Sequence, residues 1–154
     1  GQSDLPADDP GRRAQITATY ADYRSEFPDV PGVDVETLQQ WLDADVPVVL
    51  VDVRTDDERT VSALPGSVPA AVIEADPEAY RGRVLVAYCT IGYRSGLWAQ
   101  RERELGLDVR NLEGSVLAWT HTGRPLEGPD GPTRRVHVYG PRWDLLPTGY
   151  DATW

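Results

Sequence analysis

The chain has 154 residues, a single cysteine, and 25 acidic against 15 basic side chains, for a formal charge of −10. That length suits one domain with a real core and an appended arm, and a lone cysteine excludes an internal disulfide. An acidic surface argues against nucleic acid or an anionic membrane as partner, and no stretch is long and apolar enough to span a bilayer.

Residues 1–11 are polar, carry Pro6, Pro10 and Gly11, and are expected to fray or drape over the surface. Ile16, Tyr20, Tyr23 and Phe27 then recur at helical spacing, the apolar face of an amphipathic helix that Pro28 and Pro31-Gly32 terminate. Asp34 caps a second helix carrying Leu38, Trp41 and Leu42, which ends near Asp45. The run Val46 to Val53 is almost wholly apolar, as in a strand buried on both faces of a parallel sheet. A short strand is expected around Ala70–Ile73, a second buried strand at Val84–Tyr88, a helix at Ser95–Leu105 and a third strand at Val109–Leu112. This succession reads as an α/β fold. Glu102 breaks the pattern by falling on the helix face that should be apolar, so either the helix is rotated or the carboxylate reaches the core edge. Beyond Thr120 glycine and proline multiply, yet Val136, Val138, Tyr139, Trp143, Leu145, Leu146, Tyr150 and Trp154 are too apolar for a disordered tail. An extended arm is expected here, covering a core edge of its own domain or packing on a second copy as a homodimer.

Cys89 follows the strand directly and opens the loop Cys89-Thr90-Ile91-Gly92-Tyr93-Arg94-Ser95. Ligands of open α/β sheets bind at the carboxyl ends of the strands, and a loop entering a helix there turns amides inward around an anion. The helix N-terminus adds partial positive charge, Gly92 permits an unusual backbone conformation, and Ser95 is placed as N-cap. Together these favour a thiolate, a nucleophile at neutral pH, although burial in apolar surroundings acts in the opposite direction. The plain alternative is a buried core cysteine, but that belongs in mid-strand and not on a hinge.

The loop resembles the Cys-x-x-Gly-x-Arg-Ser active loop of the rhodanese-like sulfurtransferases. Three further stretches agree in order: Asp52-Val-Arg54-x-x-x-Glu58, Leu64-Pro-Gly-Ser67, and Leu112-Glu-Gly-Ser115 with Trp119 and Gly123-Arg-Pro125. The resemblance covers roughly residues 33–126 and implies a five-stranded parallel sheet with helices on both faces. Residues 1–32 would form an N-terminal segment and 127–154 the C-terminal arm. It also implies that Cys89 takes a sulfane sulfur from a thiosulfate-like donor as a persulfide and passes it to a thiophilic acceptor. The amides of Thr90, Ile91, Gly92, Tyr93, Arg94 and Ser95 would cradle the outer sulfur, with Asp52, Arg54 and Glu58 as structural support. Arg94 either binds an anionic donor or is tied to Asp52 or Glu58, and Tyr93 and Trp98 are candidate pocket walls.

The pattern departs from the family at Arg59, at Ser62-Ala-Leu64 and at Ser115, none of them the nucleophile. Two other readings stay open: a non-catalytic docking or regulatory module, and a cysteine-based phosphatase or arsenate reductase. The phosphatase signature places five residues between cysteine and arginine, where this chain has four. No cofactor is implied, and one cysteine with His121 and His137 does not make a metal ligand set, though His137 could approach the cysteine if the arm folds over the loop. Small-molecule donor and acceptor are the expected partners. A reducing cytoplasm is the expected setting. The chain opens on glycine without any methionine, which reads as trimming or processing and leaves a removed leader open.

Overall fold

The computed structural model describes residues 5–154. Five short strands, β1 (Gly32–Val33), β2 (Val48–Asp52), β3 (Val68–Pro69), β4 (Val84–Tyr88) and β5 (Asp108–Leu112), form one parallel sheet in the order β1-β5-β4-β2-β3. Of the three interior strands, β4 and β2 are the apolar runs, as expected of strands covered on both faces, which dispense with alternating polar residues. Their register pairs Val51 with Ala87 and Asp52 with Tyr88, so both strands end at one level.

Helices cover both faces. Among the described residues the α-helices are α1 (Asp9–Tyr23), α2 (Val35–Asp43), α3 (Asp56–Val61), α4 (Ala70–Ala75), α5 (Tyr93–Glu104) and α6 (Ser115–Thr120). Along β4 the side chains alternate between two clusters. Val86 and Tyr88 join Leu38 of α2 and Val116 and Leu117 of α6, whereas Leu85 and Ala87 join Ile73 of α4 and Trp98 and Ala99 of α5. Helix α1 spans the two, with Ile16 in the first cluster and Tyr20 in the second.

Several boundaries differ from the sequence-based expectation. The stretch from Ala70 is helical, and the extended pairing ends at Pro69, which offers no N–H to a ladder and precedes two alanines of high helix propensity. Helix α1 begins at Asp9, since Asp8 caps it by accepting from the Gly11 amide at 2.9 Å, so residues 9–11 do not fray. Residues 1–4 of that expected tail lie outside the described residues. Phe27 stands beyond α1, after a single 3-10 turn at Arg24–Glu26, and is still 1% exposed. Helix α5 starts two residues early, with Gly92 as its N-cap, so Ser95 lies inside the helix and is not the cap.

Glu102 does lie on the buried face of α5. The helix is not rotated, since Trp98 and Ala99 keep their places in the core, and the carboxylate reaches its edge. Desolvation, with Glu74 adding repulsion, raises its pKa.

After α6 the chain forms a hairpin, β6 (Leu126–Gly128) with β7 (Gly131–Thr133), and then a parallel pair, β8 (Arg135–His137) with β9 (Asp151–Thr153). Val136, Val138, Leu145 and Leu146 are at most 2% exposed and belong to the same cluster as Val86 and Leu117. These four supply core to their own domain. Among the described residues no helix is long and apolar enough to cross a membrane.

Candidate active site

Strand β4 delivers Cys89 at its carboxyl end, where the chain must leave the sheet. The exit is held from three sides. The Cys89 amide donates to Ser115 Oγ at 3.2 Å, and the carbonyls of Cys89 and Thr90 accept from the amides of Val116 and Leu117, the start of α6. Gly92 has φ +116°, a conformation that glycine adopts readily, and its amide donates to Cys89 Sγ at 3.2 Å. A Cβ on Gly92 would stand 2.6 Å from the Tyr20 ring, so α1 also braces the loop.

Asn111 ties these pieces together. It is fully buried, its amide donating to the Gly92 carbonyl at 2.9 Å and to the Tyr20 hydroxyl at 3.2 Å, while its oxygen accepts from Ser95 Oγ at 2.6 Å. Burial pushes the Tyr20 hydroxyl up to about 12, which keeps it neutral. The same Ser95 oxygen lies 3.4 Å from Cys89 Sγ. No local motif in the sequence marks Asn111. Its signal is a polar side chain at a strand position between Arg110 and Leu112, two residues after Val109.

Cys89 is only 1% exposed, yet it lines a cavity of about 250 Å³ with Tyr23, Thr90, Ile91, Tyr93, Arg94, Tyr139 and Trp143. One amide is aimed at the sulfur, and helix geometry leaves those of Tyr93, Arg94 and Ser95 without intrahelical acceptors. Of the two walls expected from sequence, Tyr93 lines the cavity, whereas Trp98 is 2% exposed in the opposite core. The remaining walls come from α1 and the C-terminal arm. His137 is not among the lining residues.

Arg94 is tied to Glu58. Its two terminal nitrogens donate to the two carboxylate oxygens at 2.8 and 2.9 Å, one of them also to Thr90 Oγ1 at 3.1 Å. Burial alone would raise the Glu58 carboxyl's pKa, but the Arg94 hydrogen bonds and charge outweigh it and lower the pKa. Glu58 also completes a capping box with Thr55 at the start of α3. Asp52, at the end of β2, and Arg54 form a fully buried knot. The Asp52 carboxylate accepts from Arg54 at 2.8 and 2.9 Å, from Arg59 at 2.9 Å and from the Tyr88 hydroxyl at 2.9 Å. Tyr88 in turn accepts from the Leu64 amide at 3.1 Å and bonds Ser67 at 2.8 Å. Its neighbour in sequence is the cysteine, so this knot fixes where β4 stops. Among the described residues no cluster of three or more histidine, cysteine or carboxylate side chains could hold a metal.

Comparison with known proteins agrees with this geometry. The family described as "Rhodanese-like domain" matches residues 34–122. The chain is 32% identical over 123 residues to a tRNA uridine(34) hydroxylase of Burkholderia ambifaria, covering 70% of this chain and 43% of the relative. It therefore spans less than half the length of the curated relatives it matches. Among solved structures, a thiosulfate sulfurtransferase from Pseudomonas aeruginosa is similar with TM-score 0.59 at 26% identity, over 83% of this chain and 25% of that one. A rhodanese-like domain protein from Staphylococcus aureus is similar with TM-score 0.56 at 27% identity, over 64% of this chain and 98% of that one.

Proposed function

The chain belongs to the rhodanese-like domain family, and on that premise we propose that it transfers sulfur through a Cys89 persulfide. The thiolate attacks the sulfane sulfur of a donor such as thiosulfate. A new S–S bond forms, the donor's own S–S bond breaks, and sulfite leaves with the electron pair. The outer sulfur of the persulfide then carries the negative charge, which the loop amides and the α5 N-terminus stabilise. A thiophilic acceptor such as cyanide takes that sulfur as thiocyanate and restores the thiolate. No cofactor enters either step.

The observation that carries this reading is the Gly92 amide donating at 3.2 Å to the Sγ of Cys89, a residue that lines a cavity. A structural cysteine has no use for a donor aimed at its sulfur or for open space above it. A single thiol that must stay reduced fits a cytoplasmic setting, with small-molecule donor and acceptor as the partners. Intact mass after incubation with several sulfane donors tests it. A gain of one sulfur atom, abolished by Cys89→Ser and reversed by cyanide, supports the persulfide. No adduct from any donor removes the enzymatic reading and leaves a docking module.

The relatives named tRNA uridine(34) hydroxylase favour a second reading, a part in tRNA uridine modification. The formal charge of −10 opposes direct contact with a polyanion, so such a role would need partners or segments that supply cations. Retention of tRNA by the chain alone at physiological salt would favour that reading.

A further inference from the structure

The cavity over Cys89 is poorly suited to a small dianion. Arg94 is the cation that lines it, and both carboxylate oxygens of Glu58 already hold its two terminal nitrogens. The pair is close to neutral, within a chain whose formal charge is −10. The walls are aromatic instead. Tyr23 and Tyr93 pack at 4.9 Å between ring centroids with a 54° tilt, and Tyr139 lies over the Arg94 guanidinium at 4.4 Å. Trp143 adds a fourth ring from the arm. Tyr139 remains 54% exposed although its neighbour Val138 is fully buried, so an exposed ring is held at the mouth by a fixed strand end. Such walls favour a flat apolar group by stacking and burial, while a hydrated dianion loses water there without gaining a free cation.

From this juxtaposition of a neutralised arginine and four aromatic rings around one thiol, we propose that the sulfur donor is an organic sulfane compound bearing an aromatic group. The proposal rests on the persulfide reading. An arylthiosulfonate illustrates the chemistry: the Cys89 thiolate attacks its sulfane sulfur, the bond between the two donor sulfurs breaks, and the arylsulfinate departs with the electron pair. The aryl group stands between Tyr139 and Trp143.

The test compares benzenethiosulfonate, methanethiosulfonate and thiosulfate as donors to the full chain, with cyanide as acceptor. Rates of each donor with a free small thiol correct for intrinsic reactivity. The corrected kcat/KM is expected to favour the aryl over the methyl donor by at least about tenfold, the worth of one stacked ring. Tyr139→Ala and Trp143→Ala should each shrink that ratio, raising KM of the aryl donor more than KM of the methyl donor. A Tyr139→Phe variant should keep it. Equal use of aryl and methyl donors, or a ratio unmoved by both alanine variants while persulfide still forms, overturns the proposal alone. Failure of every donor to load Cys89 overturns the persulfide reading and this proposal together.

Discussion

Glu58 grips Arg94 through both carboxylate oxygens, at 2.8 and 2.9 Å, and so holds the cation that lines the thiol's cavity in a neutral pair. Glu58→Gln keeps the capping-box geometry with Thr55 but frees the positive charge. Thiosulfate should then bind better, with KM falling by about fivefold, the worth of ~1 kcal/mol in a partly exposed ion contact. Raised salt should erase the gain. Folding stability should fall by about 1–3 kcal/mol, because a buried, charge-assisted contact is lost. In the unsubstituted chain the lowered carboxyl pKa adds stability that is complete above the unfolded value and is lost as pH falls through the folded one. A Glu58→Gln chain should therefore lose less stability than the parent on acidification below about pH 4. Steady-state kinetics and acid melts read both effects. An unchanged thiosulfate KM would show that the pair does not screen Arg94.

Tyr88 links the Asp52 carboxylate, the Leu64 amide and Ser67 directly before the cysteine. Tyr88→Phe leaves a buried amide without its acceptor and should cost about 1–3 kcal/mol. Asp52→Asn goes further, since two guanidiniums then face a neutral group inside the protein, and should cost about 3–5 kcal/mol. Denaturant melts measure both. If Tyr88→Phe is neutral, the hydroxyl does not set the strand end.

Much of this was legible because it is local. The buried runs of β2 and β4, the Asp34 cap and the thiol on a strand-to-helix turn all declare themselves within a few residues. Long-range contacts did not. Ser95 reads as a cap until Asn111, sixteen residues on, is seen to claim its hydroxyl. Trp98 reads as a pocket wall by proximity, but its helical position turns it into the core with Leu85 and Val109. The arm's apolar content betrayed that it packs. That Tyr139 and Trp143 would reach the thiol depended on a fold-back some fifty residues away in sequence, which no local pattern encodes.

Glu102 sits in the last turn of α5, where the helix dipole disfavours negative charge, and is only 6% exposed. Its raised pKa means that protonation stabilises the fold: the contribution is present below the unfolded value and lost as pH rises through the folded one. Glu102→Gln should raise Tm at pH 7 by about 2–4 °C. The difference should shrink as pH falls toward and below the ordinary glutamate range of about 4.3, because protonation then removes the buried charge from the parent as well. A lower Tm at pH 7 would mean the carboxylate makes a favourable contact outweighing its burial.

Ending the chain at Pro125 removes Val136, Val138, Leu145 and Leu146, each at most 2% exposed in the cluster that also holds Val86 and Leu117. Burying such side chains stabilises by about 1.5–3 kcal/mol apiece, or about 6–12 kcal/mol for the four. A domain of this size has only about 5–15 kcal/mol in total. The truncated chain should therefore lack a cooperative thermal transition, and proteolysis should degrade it far faster than the full chain. Leu146→Ala is the milder probe: it should cost about 2–5 kcal/mol and still fold, with persulfide formation at Cys89 intact at low temperature. A truncated chain that melts cooperatively within a few degrees of the parent would show that the sheet and its flanking helices close their own core, and that the arm serves the cavity mouth alone.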